Sequence, residues 1–357
     1  MALVTSIQNP TLKDIVDRTA PDGTVAKIIE AAEISMPLLR DATFIKANDG
    51  DGHQTTIRTG LPELAERRYN QGIKQTKSTT MPVREQLAML EDLSAVDAKL
   101  AEKSGNVSAY RASERIAKLQ AGHIWLGRNF IYGSPALSPD TFMGFAPRYS
   151  DKNSLAGSQI VDAGGTGTDN TSMYIVTWGG NGANFLYREG TTAGFEFKDM
   201  TPSGPELIDA PVQTADRKKM RGYMDWMGVH IGLAVGDWAS GARVANIDVS
   251  DLRDDPADGG ADLIDLLIDA KWKLRTVQSL GVSYETGELV EGKTVIYVNG
   301  VIGAALEKQA RNHKHVDLRF EQIMGRDARS AFQLMYGDWE IKILDSISTA
   351  EARVVGL

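Results

Sequence analysis

The sequence predicts an α+β fold in which one long helix lies against long antiparallel strands. Between residues 108 and 132, apolar side chains recur at three- and four-residue spacing, which is the period of an amphipathic helix. From Thr171 onward the period changes to two, which is typical of strands. Glycine-bearing turns separate these strands, as they do in antiparallel hairpins. Helical and strand periods thus occupy separate stretches of the chain, as expected for this fold class.

The composition excludes several classes of chemistry. The chain has 357 residues, of which 42% are hydrophobic and 24% charged, so it is long enough to bury a sizeable core. The absence of cysteine excludes disulfides, thiolate metal sites and a cysteine nucleophile. The net charge of −8 does not indicate a polybasic surface for nucleic acid or membranes. No apolar run approaches the roughly 20 residues of a membrane span, and the start lacks a signal-peptide pattern, so we expect a soluble, intracellular protein without a membrane partner.

The N-terminal part is predicted to be an arm followed by a long polar loop. Residues 1–45 form the arm, with a short helix at Val25–Glu33. Residues 48–80 are polar, contain several glycines and offer few side chains for a core. A loop of this length is unusual in a compact domain and is normally functional or disordered. Two interpretations stay open: a disordered linker, or an extended hairpin that becomes ordered only against a neighbouring molecule.

Two helices are predicted after the loop. Apolar residues at three- and four-residue spacing indicate an amphipathic helix that Gly105 and Asn106 end: Leu87, Leu90, Leu93, Val96 and Leu100. The second helix runs from about Ser108 to Tyr132, where Gly133 is a natural residue to follow its C-terminus. One side of this helix is expected to carry Ile116, Leu119, His123, Leu126 or Gly127, and Phe130. At about 25 residues it would be roughly 37 Å long.

Strands dominate the next part of the chain. The segments TSMYIVTWG, ANFLYREG and AGFEFKDM, which begin at Thr171, Ala183 and Ala193, each show the strand pattern. Residues 224–250 supply two longer strands with a break at 238–241. We therefore expect an antiparallel arrangement joined by short turns.

The remaining elements alternate between helix and strand. A helix is predicted at about Ala261–Thr276, with an apolar stripe of leucines. The segment KTVIYVNG, beginning at Lys293, reads as a buried strand that turns directly into the helix VIGAALEKQARNH. Strands around Phe332–Tyr336 and Trp339–Ile347 close the chain. No internal repeat is present.

The strand within residues 224–250 has two very different faces. Alternate residues place bulky side chains on one face: Met227, Val229, Ile231, Leu233 and Val235. The other face is nearly bare backbone: Gly228, His230, Gly232, Ala234 and Gly236. Because a bare face allows close approach, we expect another element of the structure to pack against it.

Histidines and acidic residues do not form a catalytic pattern. The five histidines are His53, His123, His230, His313 and His315, and a structural or solvated role is favoured for each. An acidic run contains Asp248, Asp251, Asp254, Asp255, Asp258 and Asp262, without the spacing of a calcium loop. We interpret it as a charged loop that caps the following helix.

Two glycine clusters could be interpreted as phosphate-binding loops, but the flanking sequence does not support this interpretation. A phosphate loop leads from a strand into a helix, whereas Gly164–Gly167 follows no convincing strand. Gly179–Gly182 leads into another strand, which favours a hairpin turn. We therefore expect no catalytic, cofactor-binding or metal site, and predict that the protein is not an enzyme.

The segment that carries the bare-faced strand resembles a signature of tailed-bacteriophage major capsid proteins. The likeness rests on Trp226, the Gly232–Val235 run, Asp237-Trp238 and the ending at 243–250. It extends from MYIVTWG through DLIDLLIDA and TVIYVNGVIGAALE to YGDWEIKILDSI, covering most of Thr171–Ile347. Ala239-Ser240-Gly241 departs from the pattern, since relatives tend to carry an arginine and a bulkier pair there.

The resemblance implies a domain organisation, in a fold shared with encapsulin shells and herpesvirus capsid floors. Residues 1–45 would be the N-terminal arm and 46–82 the extended hairpin loop. Residues 83–250 would form a peripheral domain, with the long helix as its spine, and 251–335 an axial domain. The spine helix or a neighbouring subunit's loop would then lie against the bare face of Gly228, Gly232 and Gly236. Residues 336–357 would return to the peripheral domain as C-terminal strands.

The resemblance also implies a structural function: a major capsid subunit that assembles into an icosahedral shell around phage double-stranded DNA. Copies of the chain would form hexamers and pentamers through the arm and the 48–80 loop. A separate scaffolding protein, a portal protein and, as an optional partner, a decoration protein would join them. The negative subunit would enclose DNA without sequence-specific binding. The location would be the virion capsid, and the host cytoplasm during assembly.

Two alternatives to this function stay open. An encapsulin-like compartment shell would share the fold but enclose enzymes instead of DNA. A β-rich hydrolase or carbohydrate-binding protein would need exposed tryptophans and a polar pocket. Trp226 and Trp238, however, lie within strand patterns that are typical of buried core residues.

Overall fold

The computed structural model describes residues 37–180, 182–191, 193–209, 219–253, 260–274, 280–282, 289–312, 318–324 and 330–356. Within these ranges the chain is a mixed α+β structure dominated by one large sheet, which confirms the predicted fold class. The predicted helix at Val25–Glu33 lies outside the described residues, and so do His313 and His315. None of the described helices is long and apolar enough to cross a lipid bilayer.

Helices are few in the described part of the chain. The α-helices, in chain order, are α1 (Leu38–Asp41), α2 (Ala98–Lys103), α3 (Val107–Tyr132), α4 (Phe145–Arg148), α5 (Leu263–Lys273) and α6 (Gly300–Asn312). Short 3₁₀ turns occur at Leu155–Gln159, Trp238–Ser240 and Asp251–Arg253.

Strands make up most of the rest. The first eight are β1 (Phe44–Lys46), β2 (Gly52–Gly60), β3 (Thr79–Asp97), β4 (Ile160–Asp162), β5 (Asn170–Trp178), β6 (Ala183–Tyr187), β7 (Glu196–Asp199) and β8 (Glu206–Asp209). They are followed by β9 (Lys219–Val235), β10 (Gly241–Asp248), β11 (Leu280–Val282), β12 (Leu289–Glu291), β13 (Lys293–Val298), β14 (Leu318–Met324), β15 (Ser330–Tyr336) and β16 (Trp339–Ile343).

The large sheet has one main path with strands attached beside it. Within the described ranges the path runs β14-β15-β16-β13-β5-β6-β9-β3-β2. Strand β1 pairs with β6, β10 with β5, β4 with β10, and both β7 and β8 with β9. Strands β11 and β12 form a separate pair. Most pairings are antiparallel, and β13 pairs with β16 in parallel.

The described chain groups into two compact units, each with its own hydrophobic cluster. The smaller unit lies within Met89–Leu126 and Thr192–His230. The larger unit lies within Ser35–Ala88, Gly127–Thr191 and Ile231–Leu357.

The core of the larger unit is built around β5, all nine residues of which are buried. Strands β10 and β13 flank β5 on its two edges, and both run antiparallel to it. Helices α5 and α6 contribute side chains to the same apolar cluster: Leu263, Leu267, Ala270, Ile302 and Leu306 join Met173, Ile175, Val244 and Ile296. A strand buried on both faces reads as a continuous apolar run, which explains the composition of this segment.

A second set of contacts in the larger unit is aromatic. Phe130, near the end of α3, stacks on Trp178 with ring centroids 5.5 Å apart and also contacts Phe145 and Phe185. The Trp178 indole N–H donates to the Tyr297 hydroxyl at 2.9 Å, so the polar edge of this ring is satisfied inside the core. The last turn of the long helix is thereby fixed against the sheet.

The smaller unit relies on charge as well as apolar contact. Its apolar cluster is small, with Val96, Ala101 and Tyr110 at the centre. Arg111 of α3 donates to both carboxylate oxygens of Asp225 on β9, at 3.0 and 2.7 Å. Arg111 also pairs with Asp199 of β7 at 2.7 Å. The helix is therefore held to two strands by directional, charge-assisted bonds.

Several predicted elements are confirmed with small boundary shifts. The long helix is observed at Val107–Tyr132, and the helix predicted at 261–276 is observed at Leu263–Lys273. Asp262 caps α5 by accepting from the backbone N–H groups of Ile264 and Asp265, as the capping interpretation of the acidic run predicts. The predicted break in the two long strands is observed as the 3₁₀ turn at Trp238–Ser240.

The helix predicted from Leu87 to Leu100 is wrong for most of its length. Residues up to Asp97 belong to β3, and only Ala98–Lys103 is helical. Three-residue spacing places Leu87 and Leu93 on one face of a strand and Leu90 and Val96 on the other. Pairing in the sheet overrides this local helical pattern, and Leu93 remains 54% exposed.

Three smaller expectations also fail. Ile116 was assigned to the apolar side of the long helix, but its side chain is 51% exposed. Gly179–Gly182 does form a turn, but β5 and β6 share only one pair and that pair is parallel, so the turn closes no antiparallel hairpin. Trp226 and Trp238 are half-buried rather than core residues.

Candidate intersubunit interface

The polar segment at residues 48–80 contains an extended hairpin, which is the shape that one of the two interpretations predicted. Its ordering against a neighbouring molecule stays a prediction. Strands β2 and β3 pair antiparallel from Gly52 opposite Gln86 to Gly60 opposite Thr79. Near the start of β2, the Asn48 side chain accepts from the backbone N–H of Gln54 and donates to its carbonyl oxygen, both at 2.8 Å. The paired strands form a stalk, and residues 61–78 form its tip.

The tip of this hairpin exposes large apolar side chains. Their exposed fractions are 80% for Leu61, 89% for Leu64, 99% for Tyr69 and 75% for Ile73. The tip contains no regular helix or strand, and one turn in it places Asn70 at a φ of 65°. Soluble monomers rarely cluster so many exposed apolar side chains, which mark interaction surfaces.

The charge of the tip differs in sign from that of the chain. Residues 61–78 carry four basic side chains against two acidic ones, a net charge of +2, whereas the whole chain carries −8. The tip thus combines apolar contact area with attraction toward an acidic surface.

At Gly232, another part of the chain packs closely against the bare face of β9. A Cβ at this position would lie 2.8 Å from the backbone oxygen of Gln86 and 3.2 Å from Leu87 Cδ2. The closely packed element there, within the chain, is therefore β3 and not the long helix, which was one of the two expected elements; a neighbouring subunit's loop stays a prediction. At Gly228 the space is filled by the ring of Trp226 from the same strand.

Replacing Gly232 is expected to destabilise the larger unit. The backbone oxygen of Gln86 cannot move without disturbing the sheet, so Gly232→Val should cost about 1–3 kcal/mol. Gly303→Ala serves as a control, because a Cβ there would meet only Val298 Cγ2 at 3.9 Å, within a helix. Thermal unfolding should show a lower melting temperature for the first variant and an unchanged or higher one for the second. A higher melting temperature for Gly232→Val would contradict the packing role.

The described histidines occupy structural positions. His53 lies on β2 directly opposite Glu85, with 6% of its surface exposed. Burial lowers the pKa of His53, and the Glu85 charge opposes this shift. His123 on α3 contacts the Phe195 ring at 5.5 Å, and burial lowers its pKa as well. His230 on β9 is half-buried.

The acidic and glycine-rich segments form hydrogen bonds with the backbone or allow it to pack closely. Asp248 accepts from the Ser250 hydroxyl at 2.7 Å and from the Gly167 N–H at 3.2 Å. A Cβ at Gly165 would lie 2.4 Å from the Asn246 oxygen, so this cluster allows close chain packing. Among the described residues, no group of three or more His, Asp or Glu side chains is placed to hold a metal ion.

Sequence reasoning missed the buried carboxylates. Asp41 accepts from Lys293 at 2.8 Å and from the Tyr297 hydroxyl at 3.1 Å, and Lys342 also pairs with it. Glu351 pairs with Arg243 at 2.8 Å. These partners are far apart in the sequence, and no local spacing marks them. They anchor the two ends of the described chain to the large sheet.

Comparison with protein families gives a match over most of the chain. A family model described as major capsid protein GP7 matches residues 20–355. A search of curated proteins finds no match.

Comparison with solved structures gives one strong match and several weak ones. A chain of the near-atomic structure of bacteriophage Epsilon15 is 35% identical, with 100% of both chains covered and a TM-score of 0.75. A bacteriophage JBD30 capsid chain is 10% identical, with 88% of this chain and 92% of that chain covered and a TM-score of 0.42. The holo-SrpI encapsulin of Synechococcus elongatus is 10% identical, covering 62% and 92%, with a TM-score of 0.38.

Proposed function

The chain belongs to the family of major capsid protein GP7, and we propose that it assembles into the icosahedral shell that encloses phage double-stranded DNA. The observation that carries this proposal is the family match over residues 20–355. The full-length likeness to a bacteriophage Epsilon15 chain supports it, because that chain is 35% identical throughout. The protein is thus a phage major capsid subunit rather than a compartment shell protein.

The hairpin supports assembly through contacts between copies of the chain. Leu64 and Tyr69 at its tip are almost fully exposed, and burying them against another copy would remove apolar surface from water. We propose that hexamers and pentamers form in this way, with the arm at residues 1–45 as a second contact. Both segments would then gain their stability from the shell.

The parts of the subunit follow the expected capsid organisation in this proposal. Residues 46–82 act as the extended loop, 83–250 as the peripheral domain and 251–335 as the axial domain. Residues 336–357 return to the peripheral domain. The burial of Glu351 against Arg243 of β10 supports that last assignment, because it ties the end of the chain to the large sheet.

The proposal includes partners and a place of assembly. A separate scaffolding protein and a portal protein would act during assembly in the host cytoplasm, and a decoration protein is an optional further partner. The subunit would have no enzymatic role. A negative subunit charge would keep the shell from binding DNA tightly, so DNA would be enclosed without sequence recognition.

The proposal predicts the oligomeric state of the purified protein. Sedimentation velocity should show hexamers, pentamers or shells, and negative-stain microscopy of the heaviest fraction should show closed particles. The physical reason is the exposed apolar tip, which is unfavourable in an isolated subunit. A single monomeric species over a wide concentration range, with no particles, would contradict the proposed function.

A further inference from the structure

A buried ion pair between Glu85 and Arg148 holds the base of the extended hairpin. We call Glu85 and Gln86 of β3 the root of the hairpin. We propose that this pair, together with Gln86, is a positioning device that sets the direction of the hairpin for assembly. The inference rests on the proposed function, because it assigns a role within the same intersubunit contact.

The ion pair is bidentate and nearly inaccessible to water. Arg148 Nη1 lies 2.6 Å from Glu85 Oε1, and Nη2 lies 2.8 Å from Oε2. The exposed side-chain fractions are 13% for Arg148 and 6% for Glu85. Two parallel bonds between planar groups fix relative orientation as well as distance.

The same guanidinium also binds two other segments of the larger unit. Arg148 Nη2 donates to the backbone oxygen of Leu233 at 3.1 Å and to that of Met143 at 3.2 Å. One side chain therefore connects β3, β9 and the segment before α4. A change in the angle of β3 at Glu85 would break at least one of these bonds.

Gln86 adds a second connection at the next residue of β3. Its side-chain Nε2 donates to the backbone oxygens of Thr141 at 2.8 Å and Pro139 at 2.5 Å. On the other side, the bare backbone of Gly232 lets the Gln86 carbonyl approach closely. The root is thus held from several directions.

The stalk beyond the root is much more exposed. In β3 the residues from Thr79 to Arg84 are exposed or half-buried, and Glu85 is the first buried residue of the strand. The nine residues of β2 span about 30 Å at ~3.3 Å each, so a 10° change at the root would move the tip by roughly 5 Å. A displacement of that size would separate the apolar tip from its target surface.

An apolar replacement of the Glu85–Arg148 pair can distinguish a role in orienting the hairpin from a role in stabilising the subunit. Replacing a buried ion pair by apolar side chains of similar volume is often neutral or stabilising. Such a replacement removes the directional bonds and keeps the packing. If the pair only stabilises the fold, a subunit with the apolar replacement should fold and assemble. If the pair positions the hairpin, that subunit should fold but fail to assemble.

The test compares the double variant Glu85→Met/Arg148→Met with the wild-type full chain. We expect a folded subunit with a modestly lower melting temperature, because the backbone oxygens of Leu233 and Met143 lose a donor. We also expect faster amide hydrogen exchange at Gly52–Gly60 and loss of closed shells in negative-stain images. Arg148→Lys, which keeps the charge but cannot form the planar fork, is a second variant and should also lose shells. The exposed pair between Arg84 and Asp49 provides the control, and Arg84→Met should assemble normally.

The outcomes separate this inference from the proposed function. Normal shells and unchanged exchange in the double variant, or normal shells in Arg148→Lys if the double variant does not fold, would overturn the positioning role. Loss of shells in a folded variant with a mobile hairpin supports it. Absence of shells in the wild-type protein would instead overturn the proposed function.

Discussion

Replacing residues 61–78 by an Asn-Gly turn is expected to abolish shells while leaving a folded subunit. Gly60 and Thr79 are partners in the β2–β3 register, so a two-residue turn can join them without distorting the stalk. The removed segment has no core side chains, and its large apolar residues are at least 75% exposed, so folding loses little. Assembly, in contrast, loses its proposed contact area.

Three measurements check this expectation. Circular dichroism and thermal unfolding should match the wild type, and sedimentation with negative-stain microscopy should show no shells. A control that keeps the apolar tip, Gln75→Ala with Thr76→Ala, should assemble normally. Wild-type shells from the shortened protein would show that the tip is not the contact between subunits.

Glu351→Ala is expected to cause a large loss of stability. Glu351 accepts from Arg243 at 2.8 Å, and the exposed side-chain fractions are only 4% and 5%. Removing one partner leaves the guanidinium charged and buried, which typically costs about 3–5 kcal/mol. Tyr132 donates to the same carboxylate at 2.5 Å, and the Ser172 hydroxyl also bonds to it.

Two tyrosine hydroxyls donate to the Glu351 carboxylate. Burial raises the pKa of Tyr132 well above its usual range, and the charge of Glu351 raises it further. The phenol therefore keeps its proton and donates to the carboxylate. Tyr174, which is fully buried, donates to Glu351 at 3.2 Å in the same way.

Thermal or urea unfolding of Glu351→Ala measures this loss directly. Glu189→Ala is the matched control, because Glu189 forms its ion pair with Lys46 at the exposed surface and should unfold like the wild type. The double variant Arg243→Met/Glu351→Met should recover part of the lost stability, since no unpaired charge remains although the tyrosine hydroxyls lose their acceptor. An unchanged midpoint for Glu351→Ala would contradict the anchoring role of the chain end.

The sequence predicted those elements whose pattern is local. The 3.6-residue period of α3 and the buried apolar run of β5 are visible within a dozen residues, and both elements were found where expected. The α+β class and the likeness to capsid proteins follow from such elements. The hairpin at residues 48–80 was one of two open interpretations, because its composition fits a disordered linker equally well.

The errors and omissions have a common physical cause, which is pairing between distant residues. Strand β3 carries a helical spacing at Leu87 and Leu90, and only its strand partners decide that it is extended. Glu85 and Arg148 are 63 positions apart, and Arg243 and Glu351 are 108 apart. A single sequence gives no sign of which charged residues become buried partners at such separations.

Hydrogen exchange at residues 61–78, compared between isolated subunits and assembled shells, is the most direct test of the central claim that the hairpin tip is an intersubunit contact. Amides in the exposed tip should exchange rapidly in the subunit and become protected in the shell, while those of the buried β5 should be protected in both. Equal, rapid exchange of the tip in both states would contradict the claim, because the tip would then contact no neighbour in the finished shell.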